Sequence, residues 1–301
     1  MAERTLIVIT GPTGVGKTAV AIDVARALGC EIINADSRQI FRGIPIGTAA
    51  PTAEEQAMVK HHFVAFKNLD EYYSAAQFEA DVLSVLEREF WPKGNFAVMC
   101  GGSMMYVDAV CRGIDKVPDI SDEVRKAVRQ QLADEGTELL LEELKVKDPE
   151  YYEIVDKKNP VRVAHAVEVL RQTGKTYTSL RTGKAKSRDF NIVKIGLNMD
   201  RAELFDRINR RVDLMMEQGF EQEARSVYGL RHLNSLNTVG FKEMFAYFDG
   251  TMDFVTARER MKKNTRVYAK KQLTWFAKDA QIKWLHPAEA CEKILEFVGK
   301  N

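Results

Sequence analysis

Leu6-Ile7-Val8-Ile9-Thr10-Gly11-Pro12-Thr13-Gly14-Val15-Gly16-Lys17-Thr18 is the stretch on which the fold turns. Leu6 to Ile9 form a wholly apolar run, of the kind found in a parallel strand buried on both faces. Gly11 to Thr18 fit the pattern GxxxxGK[ST]. A helical periodicity follows, with Val20, Val24, Ala27 and Leu28 on one face and Gly29 as the C-cap. The residue types answer to one task. Glycines let the backbone wrap an anion, and successive N–H groups and the helix N-terminus point at it. Lys17 adds a full charge, and the Thr18 hydroxyl suits a Mg²⁺ ion. Gly11, Pro12, Thr13, Gly14, Val15, Gly16, Lys17 and Thr18 are therefore a candidate cradle for a di- or triphosphate. The alternative is an ordinary Gly-rich strand-to-helix turn.

The alternation continues outward. Glu31-Ile32-Ile33-Asn34-Ala35-Asp36 reads as a second strand that ends in an acid. Phe78, Val82, Val85 and Leu86 keep helical spacing until Trp91-Pro92-Lys93-Gly94-Asn95 stops them. Phe96-Ala97-Val98-Met99-Cys100 is a third buried strand, opening into Gly101-Gly102-Ser103, and residues 191–197 restore a strand to the same sheet. Strand, Gly-rich turn and helix in repetition predict an α/β fold, a P-loop doubly wound parallel sheet. Residues 115–190 lack strong strand patterns and read as an inserted, mainly helical domain. Residues 1–114 and 191–301 then form the core, with a helical C-terminal part.

The chain has 301 residues, Lys+Arg 44 against Asp+Glu 43, and is 45% hydrophobic. That composition buries a real core and excludes a disordered or fibrous chain. No stretch approaches the roughly 18 consecutive apolar residues of a membrane span. The start, Met1-Ala2-Glu3-Arg4, shows no signal-peptide pattern. Cys30, Cys100, Cys111 and Cys291 stand far apart with no CxxC or Cys/His spacing, which suits reduced thiols in a cytoplasmic enzyme. The net charge of +1 taken alone argues against a nucleic-acid partner, yet it hides segregation along the chain. Asp119 to Asp156 hold twelve acids and five bases, Arg171 to Arg188 six bases and no acid, and Arg258 to Lys283 nine bases and two acids. The run from Arg171 favours phosphate contact over a merely solvated face.

A standard P-loop ATPase offers a strand-end acid to hold Mg²⁺. Here the third strand ends in Cys100-Gly101-Gly102, and the acid at a strand end near the P-loop is Asp36. Ligands of open α/β sheets bind at such ends. Asp36 is thus a candidate general base on a nucleophile opposite the phosphates, the alternatives being a helix cap or a magnesium partner. His61-His62 invites a metal reading, but adjacent His residues on a regular element point apart and no acid cluster stands nearby in sequence.

The motifs together resemble the tRNA dimethylallyltransferases, of the bacterial type without a zinc finger. The resemblance runs through the P-loop, Asp36-Ser37-Arg38-Gln39, Ile46-Gly47-Thr48-Ala49-Ala50-Pro51, Gly101-Gly102-Ser103, Asn159-Pro160-Val161-Arg162, Val239-Gly240-Phe241-Lys242-Glu243 and Ala269-Lys270-Lys271-Gln272-Leu273-Thr274-Trp275-Phe276. It covers nearly the whole chain. It implies transfer of a dimethylallyl group from dimethylallyl diphosphate to the exocyclic N6 amine of the adenine 3′ of the anticodon. The P-loop would then hold a diphosphate leaving group with Mg²⁺, which explains the missing strand-end acid. Lys17, Thr18 and Ser103 join Asp36 as catalytic candidates, and Arg207 and Arg211 are candidates to clamp the diphosphate.

The resemblance further implies tRNA contacts at Asp36, Ser37, Arg38, Gln39, Ser103, Arg125, Val161, Arg162, His165, Gly240, Phe241 and Lys242. Ser103 stands where the family has Thr. Phe41 and Phe241 stand where it has Tyr, and His165 where it has Arg. An adenine inside an anticodon loop must leave its stack to reach a buried site. Trp275 and Phe276 suit a stacking role, though rings of that area more often pack in a core. Arg125 is equally placed for an ion pair within its own helix. A P-loop small-molecule kinase, a non-enzymatic RNA-binding protein and a transferase acting on free adenine nucleotides are the competing readings. Kinases of that kind are much shorter and lack the basic C-terminal half. A monomer with no obligate protein partner and no membrane association is expected.

Overall fold

The computed structural model describes residues 3–115, 117–181 and 183–299. Two compact units emerge. One runs to Cys111 and resumes at Ser187, and the other spans Arg112–Lys186, so the insertion begins and ends a few residues earlier than the 115–190 expected.

The first unit is built on strands β1 (Thr5–Thr10), β2 (Ile32–Asn34), β3 (His61–His62), β4 (Phe96–Cys100), β5 (Asn191–Leu197) and β6 (Lys283–Leu285). Their order is β3-β2-β4-β1-β5-β6, with every pairing parallel. The apolar run after Thr5 therefore lies at the centre, between β4 and β5. Alternation along the strand feeds two cores. Leu6 and Val8 pack with Phe78, Val82 and Phe276 on one face. Ile7 and Ile9 pack with Val20, Val24 and Ile294 on the other.

Helix α1 (Lys17–Leu28) buries Val20, Ala21, Val24 and Ala25 and ends at left-handed Gly29. Ala27, expected on that stripe, is exposed, because the buried stripe runs through Ala21, Val24, Ala25 and Leu28 and leaves it at the edge. Short helices α2 (Pro45–Thr48) and α3 (Ala53–Met58) follow β2. Helix α4 (Ala75–Val85) starts on a Ser74–Gln77 capping box, and a single π-turn over Leu86–Phe90 carries it to the expected stop at Trp91. Helix α5 (Met104–Arg112) leads out of the β4 turn.

The second unit holds α6 (Asp122–Glu135), α7 (Glu138–Lys147), α8 (Pro149–Ile154), α9 (Pro160–Thr173) and α10 (Tyr177–Leu180), and no strand among its described residues. Val128, Leu140, Leu144, Val163 and Val167 form its own core. The first unit resumes with α11 (Arg201–Glu217), α12 (Phe220–Ser226), α13 (Phe241–Phe248), α14 (Phe254–Phe276) and α15 (Pro287–Phe297). Phe276 is buried and Trp275 donates its indole N–H to Asp108 at 2.9 Å, so these rings serve the core rather than a base. No described helix is long and apolar enough to cross a membrane.

Candidate active site

The loop after β1 folds as its sequence dictates. Gly11 has φ 139, and a side chain there would bring Cβ within 2.5 Å of the Leu197 carbonyl oxygen on the neighbouring strand. Lys17 opens α1 and donates from Nζ to the carbonyls of Gly11 (3.1 Å) and Pro12 (2.9 Å), arching back over the loop. Loss of hydration pulls its pKa from 10.5 down to about 8, with Arg211 adding to the fall and the Cys100 and Asp36 side chains opposing it.

A cavity of about 1110 Å³ lies over this loop, lined by Lys17, Thr18, Asp36, Arg207, Arg210 and Arg211 among others. All its lining residues belong to the first unit. Both expected arginines reach it from α11. Arg207 donates from Nε to the Gly14 carbonyl at 3.0 Å, and Arg211 donates to the Ala49 carbonyl at 3.4 Å. Burial lowers the pKa of Arg211 against the pull of Asp36 and Glu55.

Asp36 sits at the carboxyl end of β2, facing the same cavity. Its Oδ1 accepts from the N–H groups of Arg38 (2.9 Å) and Gln39 (3.4 Å), closing a turn. Its Oδ2 accepts no hydrogen bond among the described residues. One carboxylate thus fixes the local backbone with one oxygen and presents the other. The backbone it holds is a turn and not a helix N-terminus, since the next helix begins only at Pro45.

Ser103 is buried, and its Oγ accepts from the Ser37 N–H at 2.7 Å and lies 3.1 Å from Ser37 Oγ. It braces the turn that carries Asp36. The Arg38 guanidinium donates to the carbonyls of Asn234 (2.7 Å) and Ser235 (3.2 Å), and Gln39 Nε2 donates to Thr48 and Ala49 (3.0 and 2.8 Å). These two head groups are therefore tied into the fold.

The remaining expected RNA contacts divide. Lys242 is exposed at the start of α13, beside Gly240. The Phe241 ring is wholly buried against Phe220, 5.1 Å between centroids, so its side chain does not face RNA and the expectation fails there. Arg125 on α6 and Val161, Arg162 and His165 on α9 belong to the second unit. Val161 and Arg162 are exposed, whereas His165 Nδ1 lies 3.5 Å from Glu168.

The basic run from Arg171 is less free than its charge suggests. Arg171 pairs with Glu143, and Arg188 is buried against Glu79 (2.8 Å) and the carbonyls of Ala109 and Val110 (2.9 Å each). Arg188 is therefore committed to the fold, whereas Arg171 is ion-paired but still exposed. His62 also departs from expectation. Folding brings Glu31 and Glu89 to it, with ligand atoms within 4.8 Å of one another. Lys60 (3.3 and 3.1 Å) and Lys93 (2.9 Å) already answer those carboxylates with positive charge.

Two contributors escaped the sequence. Gln272, buried on α14, accepts from the Thr13 N–H and donates to the Gly102 carbonyl, both at 2.8 Å, and so bridges the P-loop to the β4 turn. It stands in a motif that carries the resemblance, but nothing in that basic helix gave it a role. Glu223 on α12 accepts from the backbone of α2.

Comparison with known proteins agrees with this geometry. A family model described as IPP transferase matches residues 39–279. A tRNA dimethylallyltransferase 1 of Bacteroides fragilis is 53% identical over 298 residues, covering 99% of this chain and 98% of the relative. A tRNA dimethylallyltransferase of Cytophaga hutchinsonii is 44% identical over 98% of this chain and 97% of its own. The crystal structure of the full-length tRNA isopentenylpyrophosphate transferase from Bacillus halodurans superposes with a TM-score of 0.71 at 34% identity, covering 99% of this chain and 96% of that one. With a P-loop on a parallel sheet, two arginines over it and an aspartate at the next strand end, the chain belongs to the tRNA dimethylallyltransferase family of transferases.

Proposed function

We propose that this enzyme transfers the dimethylallyl group of dimethylallyl diphosphate to the exocyclic N6 amine of the adenine 3′ of the anticodon in tRNA, acting in the cytoplasm. The observation that carries the reading is one cavity holding a diphosphate cradle and a carboxylate with an open oxygen. Lys17, other P-loop residues, Arg207 and Arg211 line the cavity, and Asp36 lines it with them, its Oδ1 engaged by backbone N–H groups and its Oδ2, among the described residues, by none.

The amine nitrogen attacks the allylic C1, the C1–O bond breaks, and diphosphate departs with the bonding pair. The amine lone pair is delocalised into the purine, so the nitrogen is a poor nucleophile. Asp36 accepts its proton as the new bond forms, leaving a neutral secondary amine. Lys17 and the arginines meet the negative charge growing on the leaving oxygen, in a pocket where such contacts are worth more than in water. Ser103 and Ser37 hold the Asp36 turn in register.

The donor set suits Mg²⁺. Thr18, Asp36 and Glu55 line the cavity with hard oxygens, and Mg²⁺ binds through one or two side chains plus substrate phosphates. Thr18 would hold Mg²⁺, and the ion would supply further positive charge to the diphosphate.

The test is mass spectrometry of tRNA nucleosides after incubation with Mg²⁺, dimethylallyl diphosphate and unmodified tRNA. Wild-type protein is expected to yield N6-dimethylallyladenosine. Asp36→Asn is expected to bind tRNA normally and transfer about 10²–10⁴-fold more slowly, the usual contribution of a general base. Near wild-type turnover in that variant would remove Asp36 from the role, and γ-phosphate transfer from ATP would favour a kinase.

A further inference from the structure

Glu223 accepts hydrogen bonds from two successive backbone amides, Ile46 N–H to Oε2 at 2.8 Å and Gly47 N–H to Oε1 at 2.7 Å. A single carboxylate thereby grips the first turn of α2 with both oxygens. The far end of that turn is held from the other direction. Gln39 Nε2 donates to the Thr48 and Ala49 carbonyls, and Arg211 donates to the same Ala49 carbonyl. Ala49 has φ 48, a left-handed conformation that costs a residue with a side chain and persists only where its surroundings enforce it.

Beneath the turn, Gly47 rests on aromatic rings. A Cβ there would come within 2.3 Å of Phe220 and 2.5 Å of Phe241. The segment is thus blocked from moving inward and tied at both ends. Its other side lines the cavity through Pro45, Ile46, Thr48 and Ala49.

We propose that Glu223 is a positioning residue for the prenyl donor. It fixes α2, α2 fixes the Ala49 carbonyl, and that carbonyl sets the Arg211 guanidinium over the P-loop. The inference rests on the cavity being the donor site, as proposed above. Glu223 gives each of the two adjacent amides its own acceptor oxygen. A carboxamide in the same pose offers one acceptor oxygen and turns an NH₂ donor toward the second N–H, which leaves a partly buried amide without its partner.

The experiment measures separate Michaelis constants for dimethylallyl diphosphate and for unmodified tRNA, with melting temperatures, in wild type, Glu223→Gln and Glu223→Asp. Glu223→Gln is expected to raise KM for the donor about tenfold and to lower kcat about tenfold, because Arg211 also meets charge that grows on the leaving group, with KM for tRNA within about twofold. Glu223→Asp keeps two acceptors on a shorter arm and is expected to fall between. It carries the test alone if Glu223→Gln does not fold. A merely structural carboxylate would lower the melting temperature and move neither constant selectively. Unchanged donor KM in the folded variants, or equal rises in both constants, overturns the proposal. A wild-type protein that makes no prenylated adenosine overturns the donor-site reading and the proposal with it.

Discussion

Lys17 is the residue whose chemistry is most exposed to a simple measurement. Desolvation has moved its pKa from 10.5 to about 8, so the ammonium is lost as pH rises through about 8 in the free enzyme. A diphosphate needs that charge, so donor capture weakens above the same pH. The expected kcat/KM for dimethylallyl diphosphate is level near pH 7 and falls above about pH 8, since this ratio reports free-enzyme ionisations. A bound dianion favours the ammonium, so the limb in kcat lies higher. Lys17→Gln is expected to lower kcat/KM and abolish the limb. A wild-type profile flat to about pH 9.5 would show that the lysine keeps its charge without the anion. The residues around Lys17 also mark what sequence can tell. The P-loop and Asp36 are legible because each acts through its immediate neighbours. Glu223 and Gln272 act across separations of 176 and 259 residues, and no local pattern carries such a contact.

At the scale of elements, strands β1, β2 and β4 were readable from near-continuous apolar runs, as expected of parallel strands buried on both faces, and β5 despite Lys194, which folding buries against Asp279. Two-residue β3 is too short to announce itself, and β6 leaves Lys283 and Trp284 exposed, so it lacks the apolar run that marks the equally short β2. The charge runs were the least legible, since a base can face solvent, phosphate or a carboxylate brought in by folding. On α14, Arg258 and Lys262 pair with Asp213 of α11, binding helix to helix. Arg188 shows the same effect more strongly. Its side chain is 9% exposed, that of its partner Glu79 is 7% exposed, and two carbonyls at the end of α5 complete its hydrogen bonds. Removing one member breaks a buried ion pair, which costs up to about 3–5 kcal/mol, whereas replacing both by apolar groups costs far less. Arg188→Met is expected to destabilise the protein by that amount in denaturant unfolding. The double variant with Glu79→Leu should recover about half or more. Equal destabilisation by the single and the double variant would show that the carbonyl contacts, not the charge pair, carry the stability.

For the whole molecule, the two units divide the chemistry in a way that can be tested by cutting. Every residue lining the cavity lies outside Arg112–Lys186, as do Asp36, the P-loop, Arg207 and Arg211. The insertion has a core of its own, so the first unit does not need it to bury apolar surface. Its two ends meet. The Lys186 N–H donates to the Arg112 carbonyl at 2.7 Å, and Arg188 binds the carbonyls of Ala109 and Val110 just before the entry point. Because the chain leaves and re-enters at one place, a bridge of about four glycine and serine residues spans the gap with little closure entropy. A variant joining Arg112 to Lys186 in this way is expected to melt cooperatively and to bind inorganic diphosphate within about threefold of wild type, since the phosphate contacts are untouched. The same variant should lose tRNA affinity by tenfold or more, because it lacks Arg125, Val161, Arg162 and His165, while Lys242 and the basic face of α14 remain. Wild-type tRNA affinity in the folded deletion would assign RNA recognition to the first unit alone. Loss of diphosphate binding would show instead that the insertion holds the cavity in shape.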